Sequence, residues 1–152
     1  MLAGCERQQG PSLSDTLSWL DQTYNPYKDG VGGHGSYMFE TLSFRETLTY
    51  NGCQITTITI SSRKGDHGLR EQFNLRDIDP QSIRVVNNPN PGTVAEVEFV
   101  VRNNAEMLTY SGNVIGTGAR SQFGMDDAEY AARFTKAFRH AVELCGGKPS
   151  TF

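Results

Sequence analysis

A chain of 152 residues, 37% apolar and 20% charged, is long enough for one domain to bury a core without disulfide or metal support. A net charge of −3 excludes a basic field for nucleic acid or anionic lipid, and no run approaches the roughly 20 apolar residues of a membrane span. Sixteen glycines, with abundant Asn, Ser and Thr, point to short strands separated by turns.

The first motif is Leu2-Ala3-Gly4-Cys5, followed by the polar stretch Glu6 to Ser12. It resembles the cleavage site of bacterial lipoproteins, in which the cysteine becomes the lipidated first residue of the mature protein. The match consists of four residues, without the basic and apolar regions that precede such a site. The resemblance implies that residues 1–12 are a lipobox-like start and polar tether, with lipidation at Cys5. The chain would then sit at the bacterial cell envelope and touch the membrane only through a lipid anchor; otherwise it is cytoplasmic.

Residues 13–152 are expected to form a single globular domain. Leu13, Leu17 and Leu20 recur at helical spacing beside Trp19, which predicts a helix over 13–23. Ser12 followed by Asp15 is a capping arrangement. Asn25-Pro26 is expected to end the helix, because proline disfavours helical geometry in the preceding residue. Asp29 to Gly35 carries four glycines and is expected to be a flexible loop.

From Tyr37 the period changes to two, with Leu42, Phe44, Leu48 and Tyr50 on one face. Asn51-Gly52 suits a type I′ hairpin turn, pairing Tyr50 with Cys53 and Leu48 with Ile55. The apolar phase then slips between Ile55 and Ile58. A β-bulge near Thr56-Thr57 would restore it, put Ile60 opposite Phe44 and bend the hairpin. Further strands are expected over Gly68 to Arg76, from Ile83, over Thr93 to Arg102, Glu106 to Tyr110 and Ala119 to Met125. Asp79 to Ser82, Asn87 to Gly92 and Asn103-Asn104 are turns, and Ser111 to Gly118 is a glycine-spaced loop.

The closing helix is expected over 127–145. Asp126 is the expected N-cap, with Glu129 completing a capping box and Met125 packing on Tyr130 as a staple. Tyr130, Ala131, Phe134, Ala137, Phe138, Ala141, Val142, Leu144 and Cys145 fall in one half of the helical wheel. Lys136, Arg139 and Glu143 lie opposite. Glu129–Arg133 and Arg139–Glu143 are spaced for i,i+4 ion pairs, and Gly146-Gly147 ends the helix.

The fold class is therefore α+β, with about seven antiparallel strands in a strongly bent sheet or barrel between an N-terminal and a C-terminal helix. An open sheet with both helices on one face is the alternative. Over Tyr37 to Cys145, this element order resembles the pleckstrin-homology-like fold, a bent seven-stranded barrel capped by a C-terminal helix. The N-terminal helix is additional. The runs Leu17 to Pro26 and Ala137 to Gly147 resemble segments of uncharacterised bacterial proteins, which implies no activity. Families of the capped-barrel fold bind phosphoinositides through basic residues on the first hairpin. Here the hairpin tip is Tyr50-Asn51-Gly52-Cys53, so that property is not carried over.

Nucleotide-loop, nucleophile-elbow, zinc-helix and Cys-x-x-Cys motifs are absent from the sequence, so no catalytic residue, metal ligand or cofactor is expected. The favoured function is a non-catalytic binding or scaffold module for a protein or peptide partner. The aromatic, glycine-rich stretch Tyr24, Tyr27, His34, Tyr37 and Phe39 is the candidate groove. The competing reading is a small hydrolase or metal-dependent enzyme built from His34 and His67 with Asp29 or Asp66. Cys53 and Cys145 are read as small buried apolar residues; an exported compartment would instead permit a disulfide between them.

Overall fold

The computed structural model describes residues 10–30, 33–37, 40–87, 95–118, 120–125 and 127–148, with side chains given for most of them. Cys5 and Phe39, and the side chains of Tyr27, His34 and Tyr37, lie outside the described residues.

The class is α+β, with antiparallel strands, an N-terminal helix and a C-terminal helix. Helix α1 spans Leu13–Gly30 and helix α2 spans Ala128–Leu144. Nine strands are described between them: β1 Gly33–Tyr37, β2 Glu40–Asn51, β3 Gln54–Ser61, β4 Leu69–Asn74, β5 Arg84–Asn87, β6 Ala95–Val100, β7 Glu106–Tyr110, β8 Asn113–Gly118 and β9 Arg120–Met125. They form two open sheets, ordered β1-β2-β3-β4-β7-β8 and β5-β6-β9. The chain thus leaves the first sheet after β4, builds two strands of the second, returns for β7 and β8, and leaves again for β9. An isolated bridge, Ile78 to Val101, ties the first crossing to the end of β6.

The core lies between the sheets and the helices. Leu17, Leu20 and Tyr24 of α1 are buried, as are Leu48, Ile55 and Phe73 of the large sheet. Val97, Phe99 and Phe123 of the small sheet meet Phe134, Phe138, Ala141 and Val142 of α2. Both Phe134 and Phe138 are 0% exposed, so the apolar stripe of the closing helix is covered, as its periodicity requires. The rings form a continuous cluster: Phe99 lies 5.0 Å from Phe138, and Phe123 lies 5.0 Å from Phe134 and 5.5 Å from Tyr24, centroid to centroid. These are favourable separations for tilted and edge-to-face pairs.

Several local expectations change. Helix α1 starts as expected, with the Asp15 amide donating to Ser12 Oγ at 3.1 Å. It continues through Asn25-Pro26 to Gly30, because a proline removes one ladder bond while Leu17, Leu20 and Tyr24 anchor the preceding turns. The glycine-rich stretch contains β1, which pairs with β2 from Gly33↔Phe44 to Tyr37↔Glu40. Strand β8 likewise falls within a segment expected to be a loop.

The β2–β3 hairpin turns at Gly52-Cys53, with Gly52 at φ +57°. Its register runs unbroken from Phe44↔Ser61 to Asn51↔Gln54, so Tyr50 faces Ile55 and Arg45 faces Ile60. No bulge interrupts it. Moving the turn by one residue keeps every ladder hydrogen bond and leaves Ile60 44% exposed on the outer face. The irregularity in register lies instead between β7 and β8, at Leu108/Thr109.

At α2 the cap is Asp127, whose carboxylate accepts from the amides of Glu129 at 3.0 Å and Tyr130 at 3.1 Å. Both aspartates are competent caps, but only Asp127 has those amides at its second and third following positions. The shift displaces the expected capping box and staple. Arg139 donates to the carbonyls of Pro80 and Ile83, at 3.3 and 2.8 Å, instead of pairing with Glu143.

Candidate functional site

Tyr24 belongs to the core rather than to a ligand surface. It is 0% exposed, packs on Phe123 and Phe134, and donates its hydroxyl hydrogen bond to Glu46 Oε1. Its position at i+4 from Leu20 and i+7 from Leu17 was the available signal. Cys53 and Cys145 are not two separate buried thiols: they form a disulfide, with Cα atoms 5.9 Å apart across a sequence separation of 92. It joins the tip of the β2–β3 hairpin to the C-cap of α2.

Of the histidine reading, the side chains of His34 and Asp29 lie outside the described residues, and only its other half, His67 and Asp66, can be placed. Asp66 does not orient His67. Its Oδ2 accepts from the Ser61 amide at 2.7 Å and the Ser61 hydroxyl at 2.6 Å. Its Oδ1 accepts from the Gly68 amide at 3.0 Å and the Tyr110 hydroxyl at 3.3 Å. These donors, led by the Ser61 hydroxyl, hold the Asp66 carboxyl well below the usual carboxylate range because each favours the charged form. Asp66 therefore pins the β3–β4 turn to the end of β7. His67 stands edge-on to Tyr110, with centroids 6.3 Å apart. Among the described residues, no group of three or more His, Cys, Asp or Glu is arranged to hold a metal.

A different site emerges between the helices. A groove of about 780 Å³ runs between the outer faces of α1 and α2, within the size range of small-molecule sites. The stripe Arg133, Lys136, Ala137 and His140 has i, i+3, i+4, i+7 spacing, so all four side chains share one face of α2. Ala137 is the small member, and it lines the groove together with Trp19 of α1. Trp19 is half-buried and packs at 6.3 Å from the Tyr130 ring, fixing that wall. One end is closed by Gly10 and Pro11, whose carbonyl lies 2.8 Å from His140 Nε2.

Charge in the groove is uneven. Arg133, Lys136, Arg139 and His140 line it against the acids Asp15 and Glu143. The guanidinium of Arg139 is engaged by two carbonyls and His140 by a third. Arg133 lies over the Tyr130 ring, 5.9 Å from its centroid, a cation–π contact. Arg133 and Lys136 make no hydrogen bond or ion pair among the described residues. Asp15 sits in the first turn of α1, where the helix end favours a negative charge. The groove thus offers an apolar floor with Arg133 and Lys136 on its rim, neither held by a carboxylate among the described residues. Its signal in the sequence was the stripe Arg133, Lys136 and His140 running beside Ala137, at the border between the apolar and charged faces of α2.

The chain matches no family model, no curated protein and no solved structure.

Proposed function

We propose that the chain is a non-catalytic binding module that receives its ligand in the groove between α1 and α2. The observation that carries this reading is the groove itself, lined by the partly buried Trp19 and Ala137 together with Arg133, Lys136 and His140, on helices joined by the ring cluster beneath. Preorganised concave apolar surface with a few placed polar groups is what ligand sites require.

The test uses the intact chain and Ala137→Trp, which places a large ring at the partly buried floor of the groove. Compounds or extract fractions are screened for shifts in melting temperature. Ligands that stabilise the native chain, by the mass-action effect of binding, should lose that effect in Ala137→Trp. A screen whose hits all stabilise both proteins equally would overturn the reading.

The proposal includes a tether at Cys5 and an envelope location. The Cys53–Cys145 disulfide supports it, since such bonds persist in oxidising compartments and are rare in the cytosol. Among the described residues no helix is long and apolar enough to cross a membrane, so lipid at Cys5 would supply the attachment. Mass spectrometry of the protein recovered from a membrane fraction should find Cys5 as a lipidated first residue; an unmodified Cys5 would remove the tether.

A further inference from the structure

We propose that the α1–α2 groove takes an amphipathic anion, its negative group at Lys136 and Arg133 and its apolar body against Trp19 and Ala137. The inference rests on the groove being the binding site and goes further by assigning the chemical class of the ligand.

Three observations support it. The whole chain is acidic, with a net charge of −3, yet this groove is lined by Arg133, Lys136, Arg139 and His140 against two carboxylates. Of those groups, Arg139 and His140 are engaged by the carbonyls of Pro80, Ile83 and Pro11. Lys136 and Arg133 remain at the rim without a carboxylate partner among the described residues. The floor beneath them is apolar, formed by Trp19 and Ala137. A purely apolar ligand would lie beside two charges and strip part of their water without compensation. A cationic ligand would be repelled. An anion with an apolar body satisfies both the floor and the rim.

The experiment compares two fluorescent probes of nearly identical body, 8-anilinonaphthalene-1-sulfonate and the neutral N-phenyl-1-naphthylamine, on the full chain at low salt. Binding is read from the fluorescence of the dyes themselves, and its loss in Ala137→Trp assigns the bound dye to this groove. The sulfonate should bind more tightly than the neutral dye. Because reversing two exposed charges changes an ionic contact by about 1 kcal/mol or more, Lys136→Glu with Arg133→Glu should weaken the sulfonate by roughly tenfold and leave the neutral dye unchanged. Ala137→Trp should abolish binding of both. Melting temperature and far-ultraviolet dichroism establish that each variant folds, and Lys136→Gln serves as the milder change.

Equal binding of both dyes, each lost in Ala137→Trp, overturns the anion assignment while leaving the groove as a binding site. Dye binding that Ala137→Trp does not affect overturns the groove reading itself. Self-association of the native chain in sedimentation, abolished by Ala137→Trp, would make the groove an interface between copies and also overturn the proposal.

Discussion

Tyr24 of α1 reaches across the interface to donate its hydroxyl to Glu46 of β2, so the helix is held to the large sheet by a polar contact at the edge of the aromatic cluster. The ring itself is buried. Tyr24→Phe keeps the ring and removes the donor. Bonds to charged acceptors contribute about 1.5–3 kcal/mol, and the lower end applies because Glu46 is half-exposed. Urea unfolding should show that loss, and Tyr24→Ala should cost about 3–5 kcal/mol. A Tyr24→Phe variant as stable as the parent would contradict the role of the hydroxyl.

On the same face of the sheet, Glu71 is held above the ordinary glutamate range, first by burial and then by the Glu46 carboxylate. The folded chain therefore keeps a proton at pH values where the unfolded chain has released it. Stability from this group is greatest below about pH 4.5 and falls as pH rises through the elevated folded value. Glu71→Gln should be more stable than the parent at pH 7 and match it at pH 4. Denaturant midpoints at the two pH values decide the matter; an equal difference at both would rule out titration as the cause.

The disulfide closes a separation of 92 residues. Constraining the unfolded chain over such a loop stabilises a domain by about 2–5 kcal/mol. Cys53→Ser with Cys145→Ser should lower the melting temperature accordingly, and reduction of the native chain should reproduce the shift. Recovery of both thiols as free groups from protein unfolded without reductant would show that the bond does not form.

Gly147 has no room for a side chain. A Cβ there would lie 2.8 Å from the Ile78 carbonyl and 2.9 Å from that of Val142. Backbone cannot withdraw as a side-chain tip can, so Gly147→Ala should cost about 1–3 kcal/mol. Gly112→Ala meets open space but requires φ +79°, a left-handed strain of about 1–2 kcal/mol. Thermal unfolding of the two variants separates crowding from backbone strain. A Gly147→Ala protein that melts with the parent would mean that the end of α2 stands away from Ile78.

The apolar face of α2 and the fold class were legible because Phe134, Phe138, Ala141 and Val142 obey one period. The same reasoning misplaced what depends on the rest of the molecule. With two adjacent aspartates, the cap was assigned to Asp126, one residue before the Asp127 that fills it. Gly33 to Tyr37 carries little apolar pattern and becomes a strand only because β2 offers an edge. Ile58 and Ile60 suggested a bulge, since a local pattern cannot weigh one exposed isoleucine against an intact ladder. The groove was hidden for a related reason. Its walls come from residues more than a hundred positions apart, such as Trp19 and Ala137, and Ala137 looked like one more core position until both were seen to line one groove.

The hairpin-to-helix disulfide also sets how the molecule would respond to tension. Pulled from its two ends, an oxidised chain transmits force through Cys53 and Cys145 and bypasses the 92-residue separation they close. At about 3.5 Å per extended residue, roughly 300 Å of contour stays locked until the bond is reduced. The closing helix and most of the strands behind it are therefore shielded from any pull on the N-terminal segment, including one from an anchor at Cys5.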